Sequence, residues 1–142
     1  MAAKTISIEL KGYWRDENKS GVPADSGVYC VYECKHDKQE STVSLLTLIY
    51  IGESGNACDR IANHEKRDDW LTHVGSGNEL CYSFGPVGSV DRDRAEAAMI
   101  FEHKPPENDE YKDSFPFDRT TMSLSGKTAL LRTNFTVERT ED

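Results

Sequence analysis

The chain has 142 residues, 37% of them apolar and 30% charged, with a formal net charge of −8. That length suits one domain around a modest core. The charge argues against a protein that coats nucleic acid nonspecifically, because such proteins rely on Lys and Arg to neutralise phosphates.

Residues 1–26 read as an N-terminal arm in which Thr5-Ile6-Ser7-Ile8-Glu9-Leu10 alternates as a short strand. A polar loop ending in Pro23-Ala24-Asp25-Ser26 follows. Gly27 to Cys34 is β-branched or aromatic and apolar on both faces, the pattern of a central strand. Lys35 to Thr42 is charged, and Val43 to Gly52 is a second apolar run, so the two runs are expected to form an antiparallel hairpin with a long exposed tip. Asp59 to His64, extending towards Arg67, and Trp70 to His73 read as short helical pieces. Glu79 to Phe84 alternates as a third strand. Residues 89–104 give the clearest helix: Ala95, Ala98, Met99 and Glu102 recur at helical spacing, acids lie near its start, and Pro105-Pro106 ends it. In residues 109–142, an acidic aromatic loop precedes an expected closing strand over 129–137 and a charged tail expected to fray.

No stretch approaches the roughly 20 apolar residues a spanning helix needs. Met1-Ala2-Ala3-Lys4-Thr5 has no apolar run suited to export, so a cytoplasmic protein without a membrane partner is expected. Cys30, Cys34, Cys58 and Cys81 show no C-x-x-C pair and no disulfide spacing, which points to reduced structural thiols. Ser125-Gly126-Lys127-Thr128 resembles the end of a phosphate-binding loop, but Thr121 stands where its first glycine is required, and a plain turn is expected. His36, His73 and His103 have no partners at metal-ligand spacing.

Three groups of residues can carry chemistry. Tyr29 and Tyr50 lie at the glycine-bordered ends of the two central strands, where paired strands bring two phenols together; taken alone, each reads as an ordinary core or edge tyrosine. Arg60 and His64 are four apart on the expected helix and share one face, so that a guanidinium and an imidazole meet one substrate group; a solvated helix face fits the same spacing. Glu96 lies beside the apolar stripe of the long helix, and a lone carboxylate plus waters is a normal way to hold Mg²⁺; surface glutamates on helices are equally common. Glu102 lies along the stripe itself and reads as structural.

Taken together, Gly27-Val28-Tyr29, then Tyr50-Ile51-Gly52, Arg60 eight residues beyond that glycine, His64 four further, Glu96, Pro105 and Asn108 resemble the GIY-YIG nuclease family over residues 27–108. The resemblance implies an α+β fold, a small central antiparallel sheet of about three core strands flanked by helices. It also implies a metal-dependent endonuclease that hydrolyses DNA phosphodiester bonds in a single-metal site. Carried over, Tyr29 activates or positions the attacking water and Tyr50 supports it. Arg60 stabilises charge on the phosphate, His64 assists proton transfer or phosphate binding, and Glu96 is the sole protein ligand to Mg²⁺ (or Mn²⁺). Gly27, Gly52 and Asn108 are structural, while Arg60, Lys66 and Arg67 form the local contact surface for DNA.

The chain departs from the family pattern at Val28, in the long 30–49 separation, and at Glu53, where a basic or small polar residue is common. Strand alternation turns Glu53 away from Tyr50. With no second DNA-binding motif, specificity is expected from loops, a homodimer or a protein partner. The rival reading is a catalytically inactive binding or regulatory module with the same fold, favoured by the acidic charge and Glu53.

Overall fold

The computed structural model describes residues 2–140. Met1 of the expected arm, and Glu141 and Asp142 of the tail expected to fray, lie outside the described residues. The strands are β1 (Lys4–Arg15), β2 (Gly27–Asp37), β3 (Thr42–Ser54), β4 (Glu79–Pro86), β5 (Thr120–Gly126) and β6 (Asn134–Val137). The α-helices are α1 (Ala57–Ala62), α2 (Arg67–Leu71) and α3 (Arg92–His103).

The six strands form one mixed sheet in the order β3-β2-β4-β1-β5-β6. β1 and β5 run parallel, and the other neighbours are antiparallel. This corrects the expected fold, a small antiparallel sheet of about three strands flanked by helices. The expected hairpin and third strand are there as β2, β3 and β4, but they form only half of the sheet. The difference arises in the segments flanking residues 27–108. β1 is twelve residues long rather than six, and a register shift between Gly12 and Trp14 lets one strand serve two neighbours. Lys4 to Leu10 pairs with β5, and Lys11 to Arg15 pairs with β4. The closing strand expected over 129–137 is instead two strands. Thr120, Met122 and Leu124 point inward from β5, and only Asn134–Val137 of the expected span pairs.

A core lies on each face of the sheet. On one face α3 packs Ala95, Ala98 and Met99 against Val28, Cys30, Tyr32 and Ile51; the alanines let the helix approach the sheet closely. On the other, Ala57, Ile61 and Trp70 cover Tyr29, Val31, Ile49 and Tyr82. α3 begins with Asp93 in its first turn, where the helix dipole favours an acid, and ends at Lys104 in a left-handed conformation (φ 48°) ahead of the two prolines. No described helix is long and apolar enough to cross a membrane.

Candidate active site around the β3 edge

β3 is an edge strand, and the candidate residues gather around its C-terminal half. The β2–β3 register sets Tyr29 opposite Gly52 and Val31 opposite Tyr50. The next pair is Tyr32 with Leu48, so Ile49 is an extra residue in β3. This bulge turns Ile49 and Tyr50 to the same face, beside Tyr29. The glycines of both motifs answer to close approach. A Cβ on Gly52 would lie 2.4 Å from the Tyr29 hydroxyl, and one on Gly27 would lie 2.2 Å from the Gly85 carbonyl oxygen. Glycine at position 52 is therefore what lets the Tyr29 ring lie across β3.

His64 does not share a helix face with Arg60. α1 stops at Ala62, where Asn63 caps it by donating from backbone and side chain to the Asp59 carbonyl. The chain then folds back and buries the imidazole, leaving Arg60 near the surface. The His64 ring centroid lies 6.2 Å from that of Tyr29, 5.2 Å from Tyr50 and 4.4 Å from Trp70, and the two tyrosine rings are 6.3 Å apart.

This cluster has unengaged polar atoms. Of the six tyrosines, Tyr13, Tyr32, Tyr82 and Tyr111 use their hydroxyls in hydrogen bonds within the protein; among the described residues, Tyr29 and Tyr50 do not. His64 Nδ1 accepts the Lys66 backbone N–H at 3.1 Å, which places the ring proton on Nε2, and Nε2 is buried without a partner. Trp70 Nε1 is likewise buried and unpartnered. The two buried atoms each cost stability; His36 Nδ1 and Ser83 Oγ are buried without partners as well, but only at His64 and Trp70 do two such atoms lie beside each other, next to two free phenols.

Electrostatics fix the resting protonation states. Burial, followed by the positive charge of Arg60, lowers the His64 pKa to about 4, so the ring is neutral. Its 3.7 Å approach to Glu65 is accordingly not an ion pair. Burial, then Glu96, pushes Tyr50 up to about 12, and burial raises Tyr29 further, with Arg60 opposing the rise in both. Both phenols are protonated at neutral pH. Burial, then repulsion from Glu53, Asp93 and Glu110, raises Glu96 to about 8.

Glu96 lines a cavity of about 150 Å³ together with Tyr50, Lys66, Ile100, Asn108, Asp109 and Glu110. The cavity joins the two faces of the sheet around the β3 edge, because Tyr50 belongs to one face and Glu96 and Ile100 to the other. Asn108 closes that edge: its Oδ1 accepts the Ile51 N–H at 3.0 Å and its Nδ2 donates to the Ile51 carbonyl at 2.8 Å, as a neighbouring strand would. Among the described residues, no three His, Cys, Asp or Glu side chains converge on a ready-made metal cage. Glu96 suits a mostly hydrated divalent cation instead, since it is a shielded carboxylate facing a small polar cavity in a field that positive charge would relieve. Glu53 pairs with Val28 in register and lies on the α3 face, opposite Tyr50, where Arg92 binds its carboxylate.

The cations expected to bind substrate all carry partners. Arg60 holds Glu65 by two bonds of 2.6 and 2.8 Å. Lys66 donates to the Glu107 carbonyl and to Asp109, each at 3.0 Å, with its ammonium 5.9 Å from the centre of the Tyr50 ring. Asp16 binds Arg67 by bonds of 2.7 and 2.8 Å, and Tyr82 adds a third contact. Of the histidines set aside earlier, His73 pairs with Glu107 at 2.6 Å, and His103 bonds the Met99 carbonyl within its own helix.

Sequence reasoning missed Trp70, Glu65 and the Glu53–Arg92 pair. Trp70 carried a signal in its place just after a run of site residues, but not one separable from an ordinary core aromatic. No protein-family model, curated protein or solved structure matches this chain.

Proposed function

We propose that this chain is a metal-dependent nuclease of the GIY-YIG kind, acting on phosphodiester bonds at the β3 edge. The observation that carries the reading is the meeting of Tyr29, Tyr50 and His64, each with an unengaged polar atom, on the side of the sheet charged by Arg60 and within the field of Glu96. Ordinary core packing does not call for a buried, unpartnered His64 Nε2 beside two phenols, because such a buried group costs stability.

The protonation states assign roles. Tyr29 is a neutral phenol, so it orients the attacking water through its hydroxyl and can take the water's proton only as it passes its own to solvent, rather than acting as a standing base. His64 cannot accept a proton at Nε2 in its resting tautomer; buried beside the two tyrosines, it has the Nε2–H to offer to the tyrosine relay. Arg60 supplies fixed positive charge for the pentacovalent phosphate. Glu96 in its charged form would hold Mg²⁺ or Mn²⁺, which supplies Lewis-acid polarisation of the phosphate and stabilises the leaving alkoxide. Asn108 and Gly52 are positioning residues that fix β3 and the Tyr29 ring.

A second reading is favoured by one observation. Arg60, Lys66 and Arg67 are each neutralised by a carboxylate in a chain of net charge −8, the pattern expected of a catalytically silent binding module whose partner is not DNA. Supercoiled-plasmid nicking with Mg²⁺, Mn²⁺ or EDTA, beside Glu96→Ala, decides between the two. Metal-dependent relaxation that disappears in the variant supports the nuclease. A folded protein that cuts no duplex, branched or single-stranded substrate supports the module.

A further inference from the structure

The positive charge of Arg60 acts on Tyr29, Tyr50 and His64 alike. Its guanidinium is occupied through both Nη atoms by the two oxygens of Glu65. A carboxylate held this way presents two oxygens to the planar fork in the geometry a phosphate uses. Glu65 therefore fills a position shaped for an oxyanion.

The three ion pairs beside the cluster differ in how firmly the acid is held. Asp16 is fixed by Arg67, by the Tyr82 hydroxyl at 2.6 Å and by Lys19 at 3.8 Å. Lys66 stays anchored to the Glu107 carbonyl whatever Asp109 does. Glu65 is two-thirds exposed (65%), and among the described residues its only cationic partner is Arg60, the nearby His64 being neutral. It lies beyond the Asn63 cap, outside any helix that would fix its side chain. Turning the carboxylate into solvent gives up, beside the Arg60 pair, only a bond from its own backbone N–H, and an exposed pair of this kind is only weakly stabilising.

We infer that Glu65 occupies the Arg60 fork as a displaceable stand-in for one phosphate oxyanion of the substrate backbone. The inference rests on the proposed nuclease reading only in taking the oxyanion to be a phosphodiester. It also explains how an acidic protein engages a polyanion: docking exchanges an internal carboxylate for a phosphate at the same fork, and the net charge of the chain does not measure that site. Glu65 then acts on selectivity as well, because a ligand must offer two oxygens in one plane to outcompete it.

The test uses the full chain with EDTA present to prevent cleavage. Binding of inorganic phosphate is followed by NMR at the Arg60 Nε–H, and binding of a short fluorescein-labelled duplex by anisotropy. The variants are Glu65→Gln and Glu40→Gln, each alone and with Arg60→Gln. Glu40 lies exposed at the β2–β3 hairpin tip, so its substitution removes the same charge away from the fork. Glu65→Gln is expected to bind both probes about two- to fivefold more tightly than the wild type, the worth of an exposed ion pair. Glu40→Gln should match the wild type, and the gain should vanish with Arg60→Gln. Binding by Glu65→Gln that is equal to or weaker than that of Glu40→Gln, or a gain that survives Arg60→Gln, overturns the inference. Mg²⁺-dependent nicking by the wild type without an Arg60-dependent gain sinks the inference and leaves the nuclease standing. A gain without nicking of any substrate keeps the oxyanion site and sinks the nuclease.

Discussion

Replacing Glu96 with Gln should make the protein more stable, and increasingly so as pH rises. Burial and three neighbouring acids lift the Glu96 pKa from its ordinary 4.5 to about 8. A carboxyl group raised in this way is protonated in the native state where the unfolded chain has already lost its proton. Its folding penalty is absent below the unfolded pKa, grows as pH climbs through the interval, and levels off above the folded pKa. At about 1.36 kcal/mol per unit, the full interval is worth nearly 5 kcal/mol. Glu96 is only partly shielded and its cavity admits water, so about 2–3 kcal/mol is the realistic penalty. Glutamine keeps the shape of the protonated acid and carries no charge at any pH. Urea unfolding of wild type and Glu96→Gln at pH 5, 7 and 9 should show near-equality at the lowest pH and an advantage of about 2–3 kcal/mol for the variant at the highest. Adding Mn²⁺ at pH 9 should close the gap by stabilising the wild type alone. A difference that is flat with pH, or a variant less stable at pH 9, refutes the assignment of Glu96 as a strained carboxylate facing the cavity.

Tyr29→Phe removes a hydroxyl that no described group engages, so stability should change by less than about 1 kcal/mol, while nicking falls by about a hundredfold or more if that hydroxyl orients the water; chemical denaturation and a nicking time course read the two. Gly52→Ala forces a methyl group into the Tyr29 ring and should cost about 1–3 kcal/mol by overpacking, with loss of activity exceeding loss of fold, as seen by comparing thermal melts with initial rates. Asn108→Ala strips Ile51 of two buried hydrogen bonds and should cost about 2–4 kcal/mol; native-state hydrogen exchange should show the Ile51 amide losing protection ahead of the β2 amides.

The parts of the fold that were legible in sequence are those whose signal is local. β2 and β3 announce themselves through β-branched and aromatic runs, and α3 through its alanine stripe, flanking acids and double proline. β5 was hidden because four of its seven residues are Thr or Ser. Its inward Thr120, Met122 and Leu124 alternate correctly, but Ser125-Gly126-Lys127-Thr128 drew the eye to a turn, and its partner β1 lies more than a hundred residues away. The partners of the site were hidden for the same reason. Asp16 on Arg67 and Asp109 on Lys66 are contacts made by the fold, not by spacing. His64 misled by spacing alone: four residues after Arg60 is one helix face only if the helix continues, and Asn63 ends it. Glu53, in contrast, faces away from Tyr50 as alternation predicts, yet strand periodicity could not foretell that α3 would bring Glu96 to the same side.

The clamp of Asn108 on Ile51 has a bearing on self-association. An edge strand offers a row of free amides and carbonyls to any other chain that can extend against it. Here the backbone of β3 is taken up at Ile51 by Asn108 and at Ile49 by the Glu107 amide, so the stretch that carries Tyr50 is closed to strand addition. The outer part of the same strand, Thr42 to Leu48, has no such cover among the described residues. Any pairing of two molecules along this edge is thereby directed to the hairpin tip, leaving the mouth of the cavity open in both copies.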